Sequence, residues 1–427
     1  MKSRILISVV VLIFSNVPIQ VRLIAQQQQT TTFTLLYKFP LLANGSGPAL
    51  SFRDSAGNLY GATSLGGSYR VCVNHVCVPG CQGLGCGAIV KLDATNHETL
   101  LHSFTGADGR DPSVSFRDSA GNLYGTTFLG GSSGCGGNGC GVIFKLDTSG
   151  NLTVLHKFGA SAGGWFPSGT LLRDSAGNFY GVTVSGGDLS CNGVEGKGTG
   201  CGVVFKLDTA GRETVLHTFT GANGVSPGGG LVRDSLGNFY GTTFLGGSKG
   251  RGVIFKLNTS RNETVLHSFG GVDGNYPTSL LRDAAGNLYG ATNLGGGSTA
   301  CANGCGVIYK FDTTGKETVL HRFTGPDGSH PWGGLLRDSF GNLYGTASSG
   351  GNLACGHVGG CGVVFKLDMT GKETLLHKFA GGAGGFDAMA GLLRDSTGNL
   401  YGTTYYGGQL TCSVSGTGCG IIFKIGP

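Results

Sequence analysis

Arg53-Asp54-Ser55-Ala56-Gly57-Asn58-Leu59-Tyr60-Gly61 is the first of seven copies of the nonapeptide R-D-x-x-G-N-[LF]-Y-G, the others lying at 117–125, 173–181, 233–241, 282–290, 337–345 and 394–402. A spacing of 49 to 64 residues between copies is that of a repeat array or propeller, in which each unit buries its apolar faces only by stacking on its neighbours.

Around each copy stand four short pieces of strand chemistry. The first is apolar and ends at the Arg-Asp pair. The second follows the turn, as in 178–183. The third reads G-[VIA]-[IV]-[FVY]-K-[LFI]-[DN] at 87–93, 141–147, 202–208, 252–258, 306–312 and 362–368, with a last, shortened copy at Gly420–Ile425. The fourth is close to E-T-V-L-H-x-F, at 98–104, 213–219, 263–269, 317–323 and 373–379, and as Leu152–Phe158. Runs of β-branched and aromatic residues bounded by Gly, Asn and Asp are strands. The reading is therefore an all-β chain, a seven-bladed β-propeller of four-stranded antiparallel blades. The seventh copy lacks its fourth strand, and Phe33–Phe39 supplies the missing pattern with Tyr37 in the His position. An N-terminal strand that completes the last blade would close the ring without an unpaired edge.

Composition agrees: 84 Gly and 13% charged residues describe a turn-rich, apolar-stranded domain. The net charge of +6 is no nucleic-acid signal, because 14 of the 30 Lys and Arg are the once-per-repeat Arg and Lys, expected as turn and cross-strand partners. The N-terminus reads as a signal peptide over 1–25, followed by a Gln/Thr-rich linker over 26–31 and the propeller over 32–427. The apolar run from Ile5 to Phe14 is too short to span a membrane, so a secreted or periplasmic location is expected.

In an exported chain 14 cysteines should pair. All lie between the second and third strands of a repeat: Cys135 with Cys140, Cys191 with Cys201, Cys301 with Cys305, Cys355 with Cys361, Cys412 with Cys419, and Cys72, Cys77, Cys81 and Cys86 in the first, whose connectivity is open. The fourth repeat lacks both cysteines together, as pairwise bonding predicts. Zinc would need four ligands at fairly fixed spacing, so no metal and no cofactor is expected.

Strand order sorts the loops onto two faces. The tight first-to-second and third-to-fourth turns share one; the long, variable second-to-third and fourth-to-first loops share the other, where specialisation gathers. There the [DN]-G pairs at 44–45, 108–109, 223–224, 273–274 and 327–328 read as turns in preference to calcium sites, since no D-x-D-x-D run accompanies them. After them come the candidate ligand-binding residues Trp165, Phe166, Tyr276, His330, Trp332, Phe386 and Asp387, expected near the mouth of the central channel, where aromatic rings stack on sugars or anchor peptides or else plug gaps between blades. The six repeated histidines, His102, His156, His217, His267, His321 and His377, fall on the outermost strand and are read as structural filling.

The unit L-x-R-D-x-x-G-N-L-Y-G-T-T-x-x-G-G, followed by G-C-G-V-I-F-K-L-D and E-T-V-L-H-x-F, resembles the GloVer tandem repeat of bacterial exported proteins over about residues 33–427. That resemblance implies a tandem-repeat exported protein and carries no assigned activity. More loosely, D-x-x-G-N-L-Y is similar to the turn of NHL and gluconolactonase-type propellers, a likeness that implies fold only.

Two functions remain. One is a monomeric, non-catalytic binding or scaffold module that presents its loop face to a glycan or protein. The other is an extracellular hydrolase, lactonase-like or polysaccharide-degrading. A glycosidase needs two carboxylates at defined separation, and the unrepeated candidates are Asp111, Asp188, Glu195 and Asp387. Binding is the preferred reading.

Overall fold

The nonapeptide folds as the turn between the first and second strands of a blade, with the same chemistry in all seven copies. One oxygen of its Asp accepts the N–H of the Asn four residues on, at 2.8–2.9 Å. The other accepts that Asn's side-chain amide at 2.8–2.9 Å and the hydroxyl of the Tyr six residues on at 3.0–3.3 Å. Burial pushes these carboxyls up, but the hydrogen bonds outweigh it and hold all seven below the usual carboxylate range. The Arg that opens the motif reaches elsewhere: its guanidinium lies over the motif Tyr of the preceding blade, 5.4–6.0 Å from the ring centroid. At about 0.5–1 kcal/mol for an exposed pair, the seven contacts tie each blade to the one before it.

The computed structural model describes residues 31–40, 45–67, 85–159, 163–194, 196, 198–357, 359–412 and 416–427; the expected signal peptide, most of the linker, Cys72, Cys77, Cys81 and Glu195 lie outside them. The first blade runs from the innermost strand outward as Ser46–Arg53, Leu59–Leu65, Ala88–Leu92 and Glu98–Ser103. Blades two to six repeat that order over 110–157, 164–218, 225–268, 275–322 and 336–378, with the innermost strand of blade four split into Val225–Pro227 and Val232–Arg233.

The seventh blade is Leu393–Arg394, Leu400–Thr404 and Ile421–Gly426, completed by Thr32–Lys38 from the other end of the propeller. That strand runs antiparallel to Ile421–Gly426, from Thr32 opposite Gly426 to Lys38 opposite Ile421. It also grips the blades on either side. Phe33 stacks on His377 of blade six, and the Tyr37 hydroxyl donates to Glu98 Oε2 of blade one at 3.0 Å. The ring is thus closed by a displaced strand, as the sequence pattern requires.

The core lies between blades. Each of seven buried clusters spans one seam: at the first, Tyr60, Ile89 and Phe104 of blade one meet Val114, Leu123 and Phe144 of blade two; at the last, Phe39 and Ile422 meet Leu59 and Val90. The Phe that ends each fourth-strand motif (39, 104, 158, 219, 269, 323 and 379) is buried in every copy. Burying one such side chain stabilises by roughly 1.5–3 kcal/mol relative to leaving it exposed, so these apolar seams hold the ring.

Five disulfides close the second-to-third loops of blades two, three, five, six and seven: Cys135–Cys140, Cys191–Cys201, Cys301–Cys305, Cys355–Cys361 and Cys412–Cys419. Cys86 is also disulfide-bonded. In blade four, which has no cysteines, a short β-bridge between Gly246 and Arg251 closes the loop.

Candidate functional site

On the loop face each blade carries, at the start of its innermost strand or in the segment leading to it, one residue in the left-handed backbone region. These are Gly47, Asp111, Phe166, Ser226, Tyr276, His330 and Asp387, one per blade, with φ between 56° and 65°. The N–H of each donates, at 2.9–3.3 Å, to the carbonyl of the residue that precedes the third strand of the preceding blade: Cys419, Cys86, Cys140, Cys201, Arg251, Cys305 and Cys361 in turn. Except after Asp387 the next residue is Pro. Its ring lies against the Gly that opens the third-strand motif of the preceding blade, as Pro112 does on Gly87, where a Cβ would collide with it. Phe, Tyr and His seldom adopt positive φ, and such positions cluster where a side chain has to be aimed.

A second ring faces the first. It is formed by the residue that follows the G-x-[TA] segment of each second strand: Ser64, Phe128, Val184, Phe244, Asn293, Ser348 and Tyr405. A residue of the first ring meets the second-ring residue of the blade before it. Phe166 stacks on Phe128 with centroids 5.2 Å apart, Asp111 bonds to the Ser64 hydroxyl, and Tyr405 lies where a side chain at Gly47 would stand. The backbone frame repeats sevenfold while the side chains on it differ from blade to blade.

Between the rings opens the central channel, a cavity of about 540 Å³ lined by the inner strands of all seven blades, with Phe244 and Trp332 in its wall. Its lining is Ser, Thr, Gly, Ala, Val, Leu and Met besides these two aromatics, and none of the described lining residues is ionisable. Trp332 is 43% exposed and stacks on Phe244 at 5.6 Å.

A different sector spans blades seven, one and two. Burial pushes the Tyr405 phenol up; the Ser64 hydroxyl works against that, and the charges of Asp111 and Asp387 add to it, while the main-chain N–H of Tyr405 donates to the Asp387 carbonyl at 2.9 Å. Burial also raises the Asp111 carboxyl, against its bond from Ser64 and the charge of Arg110. It pushes Asp387 up to about 6, against the charge of His357. The mouth therefore has an aromatic side over a neutral channel and a side where the charges of two carboxyls act on one tyrosine.

The sequence-derived candidates divide accordingly. Trp332 reaches the channel wall. Phe166, Tyr276, His330 and Asp387 occupy left-handed ring positions, His330 half-buried with its imidazole held down by that burial. Phe166 and Phe386 are buried, Phe386 between Tyr406 and His357, and present no open ring face. Trp165, three blades from Trp332, packs edge-on to Phe166 against the seam of blades two and three. Asp188 is bonded to Ser190 in its own loop. Ser226, Phe244 and Tyr405 escaped the sequence reading, and Asp111 entered it only as an unrepeated acid. The signal that could have found the first ring is the prolines at 48, 112, 167, 227, 277 and 331, each preceded by a different residue. The six repeated histidines lie at the outer rim, each edge-on to the Phe two residues on at 4.8–4.9 Å.

The chain matches the family model of the Gloeobacter/Verrucomicrobia repeat three times, over residues 23–194, 80–298 and 193–417. No curated protein matches the sequence. Among solved structures it is similar to the extracellular domain of a B. thetaiotaomicron protein described as a hybrid two-component system, with a TM-score of 0.52 and 15% identity over 93% of this chain and 41% of that one. A second B. thetaiotaomicron extracellular domain, from a protein described as a one-component system, gives 0.50 and 13% over 92% and 42%. The chain thus spans about two fifths of the length of either. A gluconolactonase from Xanthomonas campestris is more distant, at 0.40 and 13% over 73% and 84%.

Proposed function

The chain belongs to the Gloeobacter/Verrucomicrobia repeat family, and from that premise we propose that it is an exported, monomeric binding propeller whose ligand is an uncharged glycan held at the channel mouth. The observation that carries this reading is the exposed Trp332 ring, stacked on Phe244 above a channel of hydroxyls, main chain and small apolar groups. A pyranose offers one apolar face to an aromatic ring and hydroxyls to neutral donors and acceptors, and such a lining asks for no ligand charge. The five loop disulfides fit an oxidising compartment. Among the described residues no helix is long and apolar enough to cross a membrane.

The test is a glycan array followed by calorimetry on the best hit. Trp332→Ala should weaken binding at least about tenfold, equivalent to ~1.4 kcal/mol, with an unchanged melting temperature. Undiminished affinity in that variant, or no saccharide retained by the wild type, would sink the proposal.

A second reading is favoured by Asp111 and Asp387, whose charges both act on the Tyr405 phenol. A carboxyl poised at about 6 can hold a proton near neutrality and deliver it to a leaving oxygen while a second carboxylate assists from across the bond, which is polysaccharide hydrolysis. Release of new reducing ends by the wild type, abolished in Asp387→Asn without loss of binding, would replace the first reading with this one.

A further inference from the structure

At the outer rim, two seams bring three metal-ligating side chains together. Between blades four and five these are His267 of the outer strand, Asp273 of the connecting loop and Glu317, the first residue of the next outer strand; between blades five and six they are His321, Asp327 and Glu373. In each trio one ligand atom per residue lies within 4.8 Å of the other two. His267 Nε2 is 2.9 Å from Asp273 Oδ2. His321 Nε2 is 3.2 Å from Asp327 Oδ2 and 3.9 Å from Glu373 Oε2. A tetrahedral ion with bonds of about 2.0 Å has ligand–ligand edges of about 3.3 Å, so closing on one would take side-chain movements below an ångström.

The ligand oxygens are held ready. Asp273 Oδ1 is engaged by the N–H of Gly270 at 2.7 Å, and Asp327 Oδ1 by the N–H and hydroxyl of Thr324 at 2.7 and 2.9 Å, which turns Oδ2 of each towards its seam. Glu317 Oε1 and Glu373 Oε1 are buried atoms with no hydrogen-bond partner, and the Glu373 side chain is only 11% exposed. Of the nearby cations, Lys378 donates to the Pro326 carbonyl at 3.3 Å and Arg322 to those of Val272 and Gly296.

The other five seams each lack a ligand. Leu152 stands in the Glu position opposite His102 and Asp108. His156 faces Glu213, but the loop before blade three carries no acid. Asn223 replaces Asp beside His217. His377 stacks on Phe33, and Tyr37 bonds to Glu98.

We infer that the seams between blades four and five and between blades five and six are two equivalent His–Asp–Glu sites for a divalent cation of the zinc type, which clasp blades four to six at the rim. Imidazole with two carboxylates is a donor set that zinc accepts, with water filling the fourth position. An ion that binds only the assembled seam also stabilises the fold.

The experiment uses the full, oxidised chain stripped with chelator and titrated with zinc by calorimetry, with the bound metal counted by mass spectrometry. Two ions per chain and a rise in melting temperature are expected. Asp327→Asn, which copies the Asn223 seam that this chain already builds, should leave one ion and a smaller rise in melting temperature, and Asp273→Asn with Asp327→Asn should leave none and melt like the stripped wild type with or without zinc. No zinc on the wild type, or an undiminished count in a double variant that still folds, overturns the inference.

Discussion

Phe33 couples ring closure to pH, and its removal can be followed quantitatively. Its ring lies flat on the imidazole of His377, with centroids 3.9 Å apart and planes 9° from parallel, and 5.7 Å from Phe423. Four of the other repeated histidines face Asp or Glu and His217 faces Asn, whereas His377 has this aromatic cover. Burial holds its imidazole down to about 4, against an ordinary value of 6.5. Between those values the unfolded chain binds more protons than the folded one, so stability rises with pH. The contribution is complete above pH 6.5 and is lost as the pH falls towards 4. Its ceiling is about 3 kcal/mol; because the imidazole keeps part of its surface in water, about 1–2 kcal/mol is expected after screening.

Phe33→Ala should act twice. A fully buried Phe→Ala change costs about 3–5 kcal/mol, and for this half-buried ring about 2 kcal/mol is expected at pH 7.5. Without its cover, His377 should titrate closer to 6.5, and most of the acid-induced loss between pH 7 and 5 should vanish. Urea unfolding at both pH values measures the energies, and histidine-resolved NMR follows the titration. If His377 titrates at 6.5 in the wild type, or both proteins lose equal stability on acidification, the coupling is refuted.

Deleting Thr32–Phe39 should leave the edge of Ile421–Gly426 unpaired and cause aggregation or a marked fall in melting temperature; a truncated protein that melts like the full one would deny the closure. Peptide mapping of unreduced protein should recover the five loop bridges and find Cys86 joined to Cys72, Cys77 or Cys81, and alkylated thiols at these positions would contradict the pairing. Asp174→Ala removes the acceptor of Asn178 and Tyr180 and should cost about 2–4 kcal/mol, on the scale of hydrogen bonds to a charged group. Arg212→Ala breaks an ion pair whose guanidinium is 81% exposed, and it should cost under about 0.5 kcal/mol; thermal melts of the two variants that cannot be told apart would contradict the turn analysis.

The blade count, the strand order and the displaced strand could all be read in the sequence because each rests on local chemistry repeated seven times: an Asp that bonds Asn four residues on and Tyr six residues on is legible within nine residues. The seams could not be read in the same way. Arg173 belongs over Tyr124, 49 positions earlier, and read within its own repeat it passes for a turn residue. Asp111 and Asp387 are 276 residues apart, and their common neighbour Tyr405 looks like one more strand aromatic until the ring closes. The fourth-strand motif puts the histidines on the outer strand, yet their acidic partners come from the next loop and the next blade. Burial separated the two tryptophans where residue type could not.

The left-handed ring has a consequence for how such a protein diversifies. At each of its seven stations the main chain is tethered to the preceding blade by its own N–H, and at six of them it is also braced by the proline that follows. The side chain there carries little of that duty, as the occupation of equivalent stations by Gly, Asp, Phe, Ser, Tyr and His attests. A point substitution at one station rewrites one seventh of the rim and leaves the other six unmoved. The rim is in that sense a seven-letter word on a fixed line, and new recognition can be reached by single-letter changes without refolding the page beneath.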